Sequence, residues 1–342
     1  MGGVTMPNKG AGAKGSRTKV TIRDVAAAAG VSPSTVSRAF ARPDRVSAET
    51  SQLIFDAAEA LGYHSEPVKT VPSREVKHLI GVIVPDVSNQ FFSDLIRSVQ
   101  QRCMQSGVTL IIHESRESAS LEREAFDRMA PHVDGMILAS SRMPDAMIRK
   151  CAQTRPTVVT NRQVRGVGSV VFDVSGGVRQ LVDYMSSAGF GTVTYLDGPA
   201  MSWSVGVRWN AFSRACAKAG ISATRLWPGS PTFEGGFAFA QRYMEHPTPM
   251  VVAHNDLMAV GFMAAMRQLG MECPKDYSIA GFDNDAVAQI TKPSLTTIRQ
   301  QSTQLGAKAA DILLTRLRDG RADAQVITVP TTLIVRESTQ RL

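Results

Sequence analysis

The sequence predicts an α/β protein in which a three-helix, helix-turn-helix N-terminal domain precedes a two-lobed body of doubly wound parallel sheets. Three observations predict this fold. Basic residues are concentrated near the N-terminus. Helix-capping residues lie at the ends of three short amphipathic segments there. From Leu79 onward, apolar runs alternate with amphipathic segments. The 342 residues also leave room for two or three domains, each with a core of its own.

The charge distribution separates the N-terminal segment from the rest of the chain. Residues 1–48 contain eight Lys or Arg and two Asp, whereas the remainder contains 30 basic and 28 acidic side chains. A basic module joined to a nearly neutral body is typical of proteins that bind nucleic acid. We expect the Gly-rich residues 1–18 to form a flexible basic tail.

The composition excludes several classes of protein. Apolar residues make up 43% and charged residues 20% of the chain, as in soluble globular proteins, which excludes a chain that is disordered throughout. No apolar run approaches the roughly 18 residues of a membrane span, and the first residues lack the apolar core of a secretory signal. The four Cys are far apart, which predicts free thiols in a reducing compartment. The sequence therefore predicts a cytoplasmic protein.

Residues 19–63 are predicted to form the helix-turn-helix domain. Each of three helices begins at a hydroxyl N-cap, and the first and third end at a Gly. The residues that mark these ends are, in order, Thr21 with Asp24, Gly30, Ser32 with Pro33, Ser47 and Gly62. Two helices joined by a tight turn at a Gly form the helix-turn-helix unit.

The second predicted helix presents Ser34, Thr35, Ser37 and Arg38 on its outward face. Hydroxyl and guanidinium groups form hydrogen bonds with phosphates and base edges when a helix enters the major groove of DNA. The alternative interpretation is an ordinary small helical bundle with a polar surface. Residues 64–78 follow as a linker, because they contain Pro67 and Pro72 and lack a helical stripe.

Residues 79–342 are predicted to form the body. Buried strands that alternate with helices predict parallel sheets, and this many strands predict two sheets with a ligand cleft beyond the carboxyl ends. The predicted strands are 79–84, 108–112, 135–139, 157–160, 169–172, 193–196, 250–253 and 278–281. Amphipathic segments between them include 92–105, 177–188, 207–219 and 256–269.

Polar and aromatic residues follow several of these strands. They are Asp86, Ser88, Asn89, Phe91, Phe92, Asn161, Arg162, Ser202, Trp203, Ser204, Arg208, Asn255, Asp256, Asp283 and Asn284. Aromatic rings stack on the C–H groups of a polyhydroxyl ligand, whereas amide, carboxylate and guanidinium groups bind its hydroxyls. The alternative for each residue taken singly is a helix cap or a loop residue, as for Asn255 and Ser204.

The body contains no sequence motif of a nucleotide, zinc or nucleophilic active site. We therefore expect no catalytic residue, no cofactor and no metal. Two other classes of protein remain to be weighed, a sugar-binding protein of transport or chemotaxis and an α/β enzyme that acts on a carbohydrate. The basic N-terminal segment argues against the first class, and the missing motifs argue against the second.

Residues 20–40 (VTIRDVAAAAGVSPSTVSRAF), 45–50 (RVSAET) and 61–63 (LGY) closely resemble the DNA-binding head of LacI/GalR-type bacterial regulators. The resemblance implies that Pro33 and Ser34 occupy the two main base-discriminating positions. The residues that it places at the DNA interface are Thr21, Ser32, Pro33, Ser34, Thr35, Ser37, Arg38, Thr50 and Tyr63. In this family the linker forms a hinge helix on DNA, with an Ala and a Leu wedged into the minor groove. Here Lys69 and Pro72 occupy those positions, so we expect less bending of the operator.

The body is similar to the effector domain of the same family, which is itself similar to periplasmic sugar-binding proteins. The strings that carry the similarity are 81–92 (GVIVPDVSNQFF), 133–135 (VDG), 253–259 (AHNDLMA), 279–284 (IAGFDN) and 295–300 (LTTIRQ). The family's ligand positions fall on Phe91, Asn161, Arg208, Asn255 and Asp283, with Ser202 and Ser204 beside them. The chain departs from the family at an aromatic lid position that reads Pro231 here. Trp203, Trp227 and Phe233 remain alternative sources of the stacking ring.

The resemblance implies a DNA-binding transcriptional repressor that works as a homodimer or a higher oligomer, without a membrane. Its partners would be double-stranded operator DNA and a small sugar or sugar derivative that binds between the lobes. The candidate effector-binding residues are Asn89, Phe91, Phe92, Asn161, Ser202, Trp203, Ser204, Arg208, Asn255 and Asp283.

Overall fold

A computed structural model describes residue 2 and residues 20–41, 46–63, 77–320 and 324–340. The chain divides into two compact units, Met1–Glu75 and Val76–Leu342. The predicted basic tail, apart from Gly2, and the linker residues up to 76, with Pro67, Lys69 and Pro72, lie outside the described residues.

The N-terminal unit contains three helices, α1 (Ile22–Ala28), α2 (Pro33–Ala41) and α3 (Ala48–Leu61). The predicted caps are confirmed. Asp24 accepts hydrogen bonds from the backbone N–H and the hydroxyl of Thr21, both at 2.7 Å, and Gly62 ends α3 in the left-handed conformation at φ 66°. A small core joins the helices, formed by Val25, Ala26, Val36, Ala39, Ile54 and Ala58.

The body contains twelve strands and ten helices among its described residues. The strands are β1 (Leu79–Val84), β2 (Thr109–Glu114), β3 (Gly135–Ala139), β4 (Thr157–Thr160), β5 (Gly168–Phe172), β6 (Thr192–Leu196), β7 (Ser222–Leu226), β8 (Met250–Ala253), β9 (Ser278–Asp283), β10 (Thr296–Gln300), β11 (Val326–Val329) and β12 (Thr331–Ile334). The helices are α4 (Gln90–Gln105), α5 (Ala119–Met129), α6 (Asp145–Thr154), α7 (Val174–Ser187), α8 (Trp203–Ala219), α9 (Phe233–Phe237), α10 (Ala240–Glu245), α11 (Asp256–Gln268), α12 (Ala286–Ile290) and α13 (Ser302–Asp319).

The strands form two six-stranded sheets, which define two lobes. The N-terminal lobe has the order β11-β5-β4-β3-β1-β2, with every pair parallel. The C-terminal lobe has the order β12-β10-β9-β8-β6-β7, and only β12 runs antiparallel to its neighbour. In the N-terminal lobe α4 and α13 pack in one hydrophobic cluster and α5 and α6 in another, as in a doubly wound sheet. The predicted fold class is confirmed.

All eight predicted strands occur, and β7, β10, β11 and β12 are additional. Strand β7 (SATRL) lies at a sheet edge with partly exposed side chains, and β10 (TTIRQ) carries polar residues at its end. Neither shows the continuous apolar run by which a buried parallel strand is recognised. Strands β11 and β12 are separated only by Pro330, yet they belong to different lobes.

The chain passes between the lobes three times, after β5, after β10 and after β11. Helix α7, which follows β5, packs on α8, β10 and β12 of the C-terminal lobe, and α13, which follows β10, packs on α4 and β3–β5 of the N-terminal lobe. All four Cys are free, as predicted. Among the helices of the described residues, none combines the length and the apolar character of a membrane span.

A close approach between α9 and α11 gives a stability prediction. A Cβ atom added at Gly261 would lie 1.9 Å from the backbone oxygen of Phe233, which has little room to move. We expect Gly261→Ala to lower the free energy of unfolding by about 1–3 kcal/mol. Gly206 in α8 has no atom within 4 Å of an added Cβ, so Gly206→Ala should stabilise the protein by about 0.5–1 kcal/mol. Urea unfolding at one protein concentration measures both, and equal midpoints would contradict the packing described.

Candidate functional site

The outward face of α2 lies opposite the helices' shared core. Val36 and Ala39 are buried, whereas Ser34, Ser37 and Arg38 are exposed. The Nε atom of Arg38 donates to the backbone oxygen of Ser34 at 3.2 Å, which holds the guanidinium along the helix surface. Ser32 directly precedes the helix, and its Oγ accepts from the N–H of Thr35 at 3.2 Å.

The predicted DNA-contacting residues divide by exposure. Thr21, Ser32, Pro33, Ser34, Ser37 and Arg38 are exposed, and Thr35, Thr50 and Tyr63 are half-buried. Two of the half-buried residues have structural contacts: the Thr50 hydroxyl accepts from Ser47 Oγ at 2.7 Å, and the Tyr63 ring packs 5.9 Å from Phe40. Direct DNA contact by each of the nine residues stays a prediction.

A cleft that is open to solvent lies at the carboxyl ends of the parallel strands of both lobes. The N-terminal lobe contributes Asp86, Asn89, Phe91, Phe92, Glu117, Ser140, Arg142 and Asn161. The C-terminal lobe contributes Pro199, Ser202, Ser204, Arg208, Pro231, His254, Asn255 and Asp283. Nine of the ten candidate effector residues therefore line one cleft.

Arg208 and Asp283 form a buried ion pair on the wall of the C-terminal lobe. Arg208 Nη2 lies 3.2 Å from Asp283 Oδ1 and 2.9 Å from Gln300 Oε1, and Nη1 donates to the backbone oxygen of His254. The guanidinium also lies over the Phe282 ring, 4.7 Å from its centroid. Burial raises the pKa of Asp283 above its usual value, and the Arg208 charge opposes that rise. The pair presents a fixed donor and a fixed acceptor to the cleft.

His254 lines the same wall as a neutral imidazole. Its Nδ1 atom lies 3.4 Å from Asp197 Oδ1 without the alignment of a hydrogen bond. Asp197 is fully buried and pairs with Arg225, whose Nη2 lies 2.7 Å from Asp197 Oδ2. Burial and the neighbouring Arg208 charge lower the pKa of His254 to about 4.

Two asparagines of the cleft occupy the N-cap positions of helices α4 and α11. Asn89 Oδ1 accepts from the N–H of Phe91 at 2.9 Å and begins α4. Asn255 Oδ1 accepts from the N–H of Met258 at 2.9 Å and begins α11, while its Nδ2 donates to Pro231. The helix-cap interpretation of Asn255 is therefore correct, and the cap also fixes the side chain at the cleft wall.

Some predicted residues do not line the cleft. Trp203 is the first residue of α8 and is 36% exposed, outside the lining. Trp227 lies beside Arg225, 5.2 Å from the guanidinium carbon, and Phe233 belongs to α9; neither lines the cleft. The aromatic rings that do line it are Phe91 and Phe92, which pack edge to face at 5.1 Å.

Arg162 and Asp256 have roles within their own lobes. Arg162 donates to the backbone oxygens of Ser141 and Met143 at 2.8 and 2.7 Å, and to Asp145. Asp256 is fully buried and accepts hydrogen bonds from the Thr297 hydroxyl at 2.6 Å and the N–H of Asp285 at 2.8 Å. These side chains stabilise the loops that carry the cleft residues.

The sequence interpretation missed Glu117 and Arg142, which form a second ion pair on the wall of the N-terminal lobe. Both Nε and Nη2 of Arg142 lie 2.5 Å from Glu117 Oε2, and Nη1 donates to the backbone oxygen of Ser140 at 2.5 Å. Glu117 follows β2 and Arg142 follows β3, so the strand-end rule that identified Asn161 would have found them.

Unusual backbone conformations are concentrated around the cleft. Seven described non-glycine residues have positive φ, and four of them line the cleft: Glu117, Ser140, Asn161 and Asp283. Such conformations each cost on the order of 1–3 kcal/mol and persist where the surrounding structure enforces them. Their clustering indicates that the cleft geometry is fixed by the folded lobes before any ligand binds.

Comparison with known proteins identifies the family. The model for bacterial regulatory proteins of the lacI family matches residues 21–66, and a periplasmic binding protein-like domain matches residues 182–339. The HTH-type transcriptional repressor CytR of Escherichia coli (strain K12) is 31% identical over 338 residues, covering 96% of this chain and 99% of CytR. The chain belongs to the LacI family of bacterial regulatory proteins. As a LacI-family member it is a DNA-binding transcriptional regulator.

Solved structures of LacI-family proteins have the same fold. A regulator from Enterococcus faecium with bound ribose is 27% identical, covers 77% of this chain and 99% of its own, and gives a TM-score of 0.70. The lac repressor dimer bound to operator and the anti-inducer ONPF is 25% identical, covers 94% of this chain and 100% of its own, and gives a TM-score of 0.72.

The neutral imidazole of His254 gives a pH prediction. In the unfolded chain this His titrates near pH 6.5, so between pH 6.5 and 4 the unfolded state binds a proton that the folded state does not. Stability is therefore lost as pH falls through that window. Between pH 7 and 5, we expect the free energy of unfolding of the parent to fall by about 2 kcal/mol more than that of His254→Gln. Asp285, whose pKa burial raises to about 8, acts in the opposite sense in both proteins. Urea unfolding at each pH tests this, and parallel profiles would contradict it.

Proposed function

We propose that this LacI-family protein is a repressor that binds a palindromic operator through α2. Its affinity for the operator changes when a small polyhydroxyl effector binds in the cleft. The residues that line the cleft are the observation that supports a polyhydroxyl effector. Each lobe supplies an aromatic or imidazole ring, at least one amide group and one carboxylate–guanidinium pair to a single cavity. This is the combination that binds C–H faces and hydroxyl groups together.

The effector acts by favouring one arrangement of the lobes. A ligand shifts a conformational equilibrium only if it binds one state more tightly, and a ligand that touches both walls binds the closed arrangement more tightly. The change reaches the N-terminal unit through residues 64–78, which we propose as the linker between residues 19–63 and the body 79–342. The operator affinity then changes with effector concentration.

The functional form is a homodimer in the cytoplasm, without catalytic activity. A single helix-turn-helix unit offers little surface for specific affinity, whereas two units read the half-sites of a palindrome. The dimer that the lac repressor forms on its operator supports this assembly. The bound ribose in the Enterococcus faecium regulator supports a sugar as effector, bound and released unchanged.

A two-stage experiment tests this function. The purified full chain first selects its binding site from a random-sequence DNA pool, and half-site symmetry in the selected sequences supports a dimer. Anisotropy of the selected duplex is then titrated with protein in the presence of D-ribose, cellobiose, other sugars, nucleosides and their phosphates. We expect one compound to change the DNA affinity and to be recovered unchanged by mass spectrometry. Failure to select any sequence, or conversion of the sugar, would overturn the proposal.

A further inference from the structure

We infer that the cleft selects an uncharged ligand with hydroxyl groups on two sides, and that the Glu117–Arg142 pair is the specificity-determining device of the N-terminal lobe. The inference rests on the proposed function of the cleft and names the class of ligand it accepts. It excludes sugar phosphates and sugar acids as the effector.

Both guanidinium groups in the cleft are already paired with a carboxylate of the same lobe. Arg142 contacts Glu117 Oε2 through two nitrogens and the Ser140 carbonyl through the third. Arg208 is bonded to Asp283, Gln300 and the backbone of His254, and its Nε atom is buried and has no hydrogen-bond partner among the described residues. A phosphate is bound in proteins by guanidinium groups that have free, bidentate donors. Neither Arg of the cleft offers that arrangement.

The charged side chains that line the cleft have no excess of positive charge. The side chains that carry formal charge are three carboxylates, Asp86, Glu117 and Asp283, and two guanidiniums, Arg142 and Arg208; His254 is neutral. An anionic ligand would therefore meet at least as much negative as positive charge, even with Asp283 protonated. Like charges within the low dielectric of a cleft repel strongly.

The two ion pairs match the hydroxyl groups of an uncharged ligand. A carboxylate only accepts hydrogen bonds and a guanidinium only donates them, so each pair places an acceptor beside a donor. A hydroxyl group both donates and accepts, and two adjacent hydroxyls match such a pair. The second oxygen of Glu117, Oε1, makes no hydrogen bond within the described residues. The pair Glu117–Arg142 lies on one lobe and Arg208–Asp283 on the other, so the ligand carries hydroxyls at both ends.

The first test uses inorganic phosphate, which needs no knowledge of the effector. Glu117→Gln removes the counter-charge of Arg142 and should create an anion site, so phosphate should bind this variant about tenfold or more tightly than the parent. Glu124 lies exposed on α5, and Glu124→Gln is the matched control with the same change in net charge. The measurement is the thermal unfolding midpoint of the full chain against phosphate concentration at constant ionic strength.

We expect the parent and Glu124→Gln to respond equally and weakly, because any phosphate binding by the DNA-binding unit is common to all three proteins. A parent midpoint that rises with phosphate as steeply as that of Glu117→Gln would overturn the inference. So would a Glu117→Gln response no larger than that of the control, provided its circular dichroism is that of the parent.

The second test compares matched ligands on the parent: D-ribose with ribose 5-phosphate, D-glucose with glucose 6-phosphate, and uridine with uridine 5′-monophosphate. We expect any member that raises the unfolding midpoint to be the uncharged one of its pair. A phosphorylated compound that binds more tightly than its uncharged partner, and that also changes DNA affinity, would overturn the inference while supporting the proposed function. A sequence-specific DNA complex that no compound alters would count against the proposed function instead, and the phosphate test would stand.

Discussion

Asp283→Ala is expected to abolish the response of DNA binding to the effector while leaving DNA affinity without effector nearly unchanged. The carboxylate is the counter-charge of the buried Arg208 guanidinium and an acceptor on the cleft wall. Its removal deletes a ligand contact and leaves a buried charge uncompensated, at a cost of about 3–5 kcal/mol. Asp283 both contacts the ligand and holds Arg208 in place on the cleft wall. In Asp283→Ala the ligand therefore loses its contact with the carboxylate and also the fixed position of the Arg208 guanidinium.

Isothermal titration of the full chain with the compound found in the DNA-binding screen measures the loss. Asp283→Asn is the second variant, since it keeps the shape and one acceptor while removing the charge, and it should bind the ligand more weakly than the parent but remain folded. Asp183→Ala, at an exposed position on α7, is the matched control and should behave as the parent. If Asp283→Ala binds the ligand as tightly as the parent, the cleft is not the effector site.

The strand-end residues show how much of the cleft could be predicted from sequence. A parallel strand places its carboxyl end at one edge of the sheet, so polar residues at or just after a strand end, such as Asn161, Asn255 and Asp283, could be assigned to the cleft. Trp203 shows the limit of that rule. It comes after β6 along the chain, but it is the first residue of α8, and its side chain lies outside the lining.

The ion pair between Glu117 and Arg142 could not be predicted from sequence, because it depends on how close the loops after β2 and β3 lie to each other. The loops after β2 and β3 adopt positive φ at Glu117 and Ser140, and the buried Glu122 carboxylate accepts from the N–H of Arg142 at 2.8 Å. Neither feature has a signature in residue type, since Glu and Ser are ordinary in loops. The fold was more predictable than the site because most buried strands can be recognised by a continuous run of apolar residues. Strands β7 and β10 lack such a run and were therefore missed.

Arg38→Ala is expected to weaken binding to the selected operator by about 1–3 kcal/mol, which is a 5- to 150-fold rise in Kd. Arg38 is exposed on the outward face of α2, and its guanidinium, held by Ser34, carries the charge of that face among small hydroxyl groups. An Arg that reads a base edge makes two hydrogen bonds whose loss affects one sequence position, whereas an Arg on phosphate affects all sequences equally. Substituting an exposed side chain should leave the thermal stability of the N-terminal unit within about 0.5 kcal/mol.

The measurement is anisotropy of the selected duplex and of duplexes altered at one base pair, each as a function of salt. We expect Arg38→Ala to lose discrimination at one position of each half-site, with effector affinity at the cleft unchanged. Arg38→Lys keeps the charge but not the planar fork, so it should restore non-specific binding without restoring discrimination. Arg214→Ala, at an exposed position on α8 of the body, removes the same charge and should retain the parent's affinity. Operator affinity that is unchanged in Arg38→Ala would contradict a base contact by Arg38, the charged side chain on the outward face of α2.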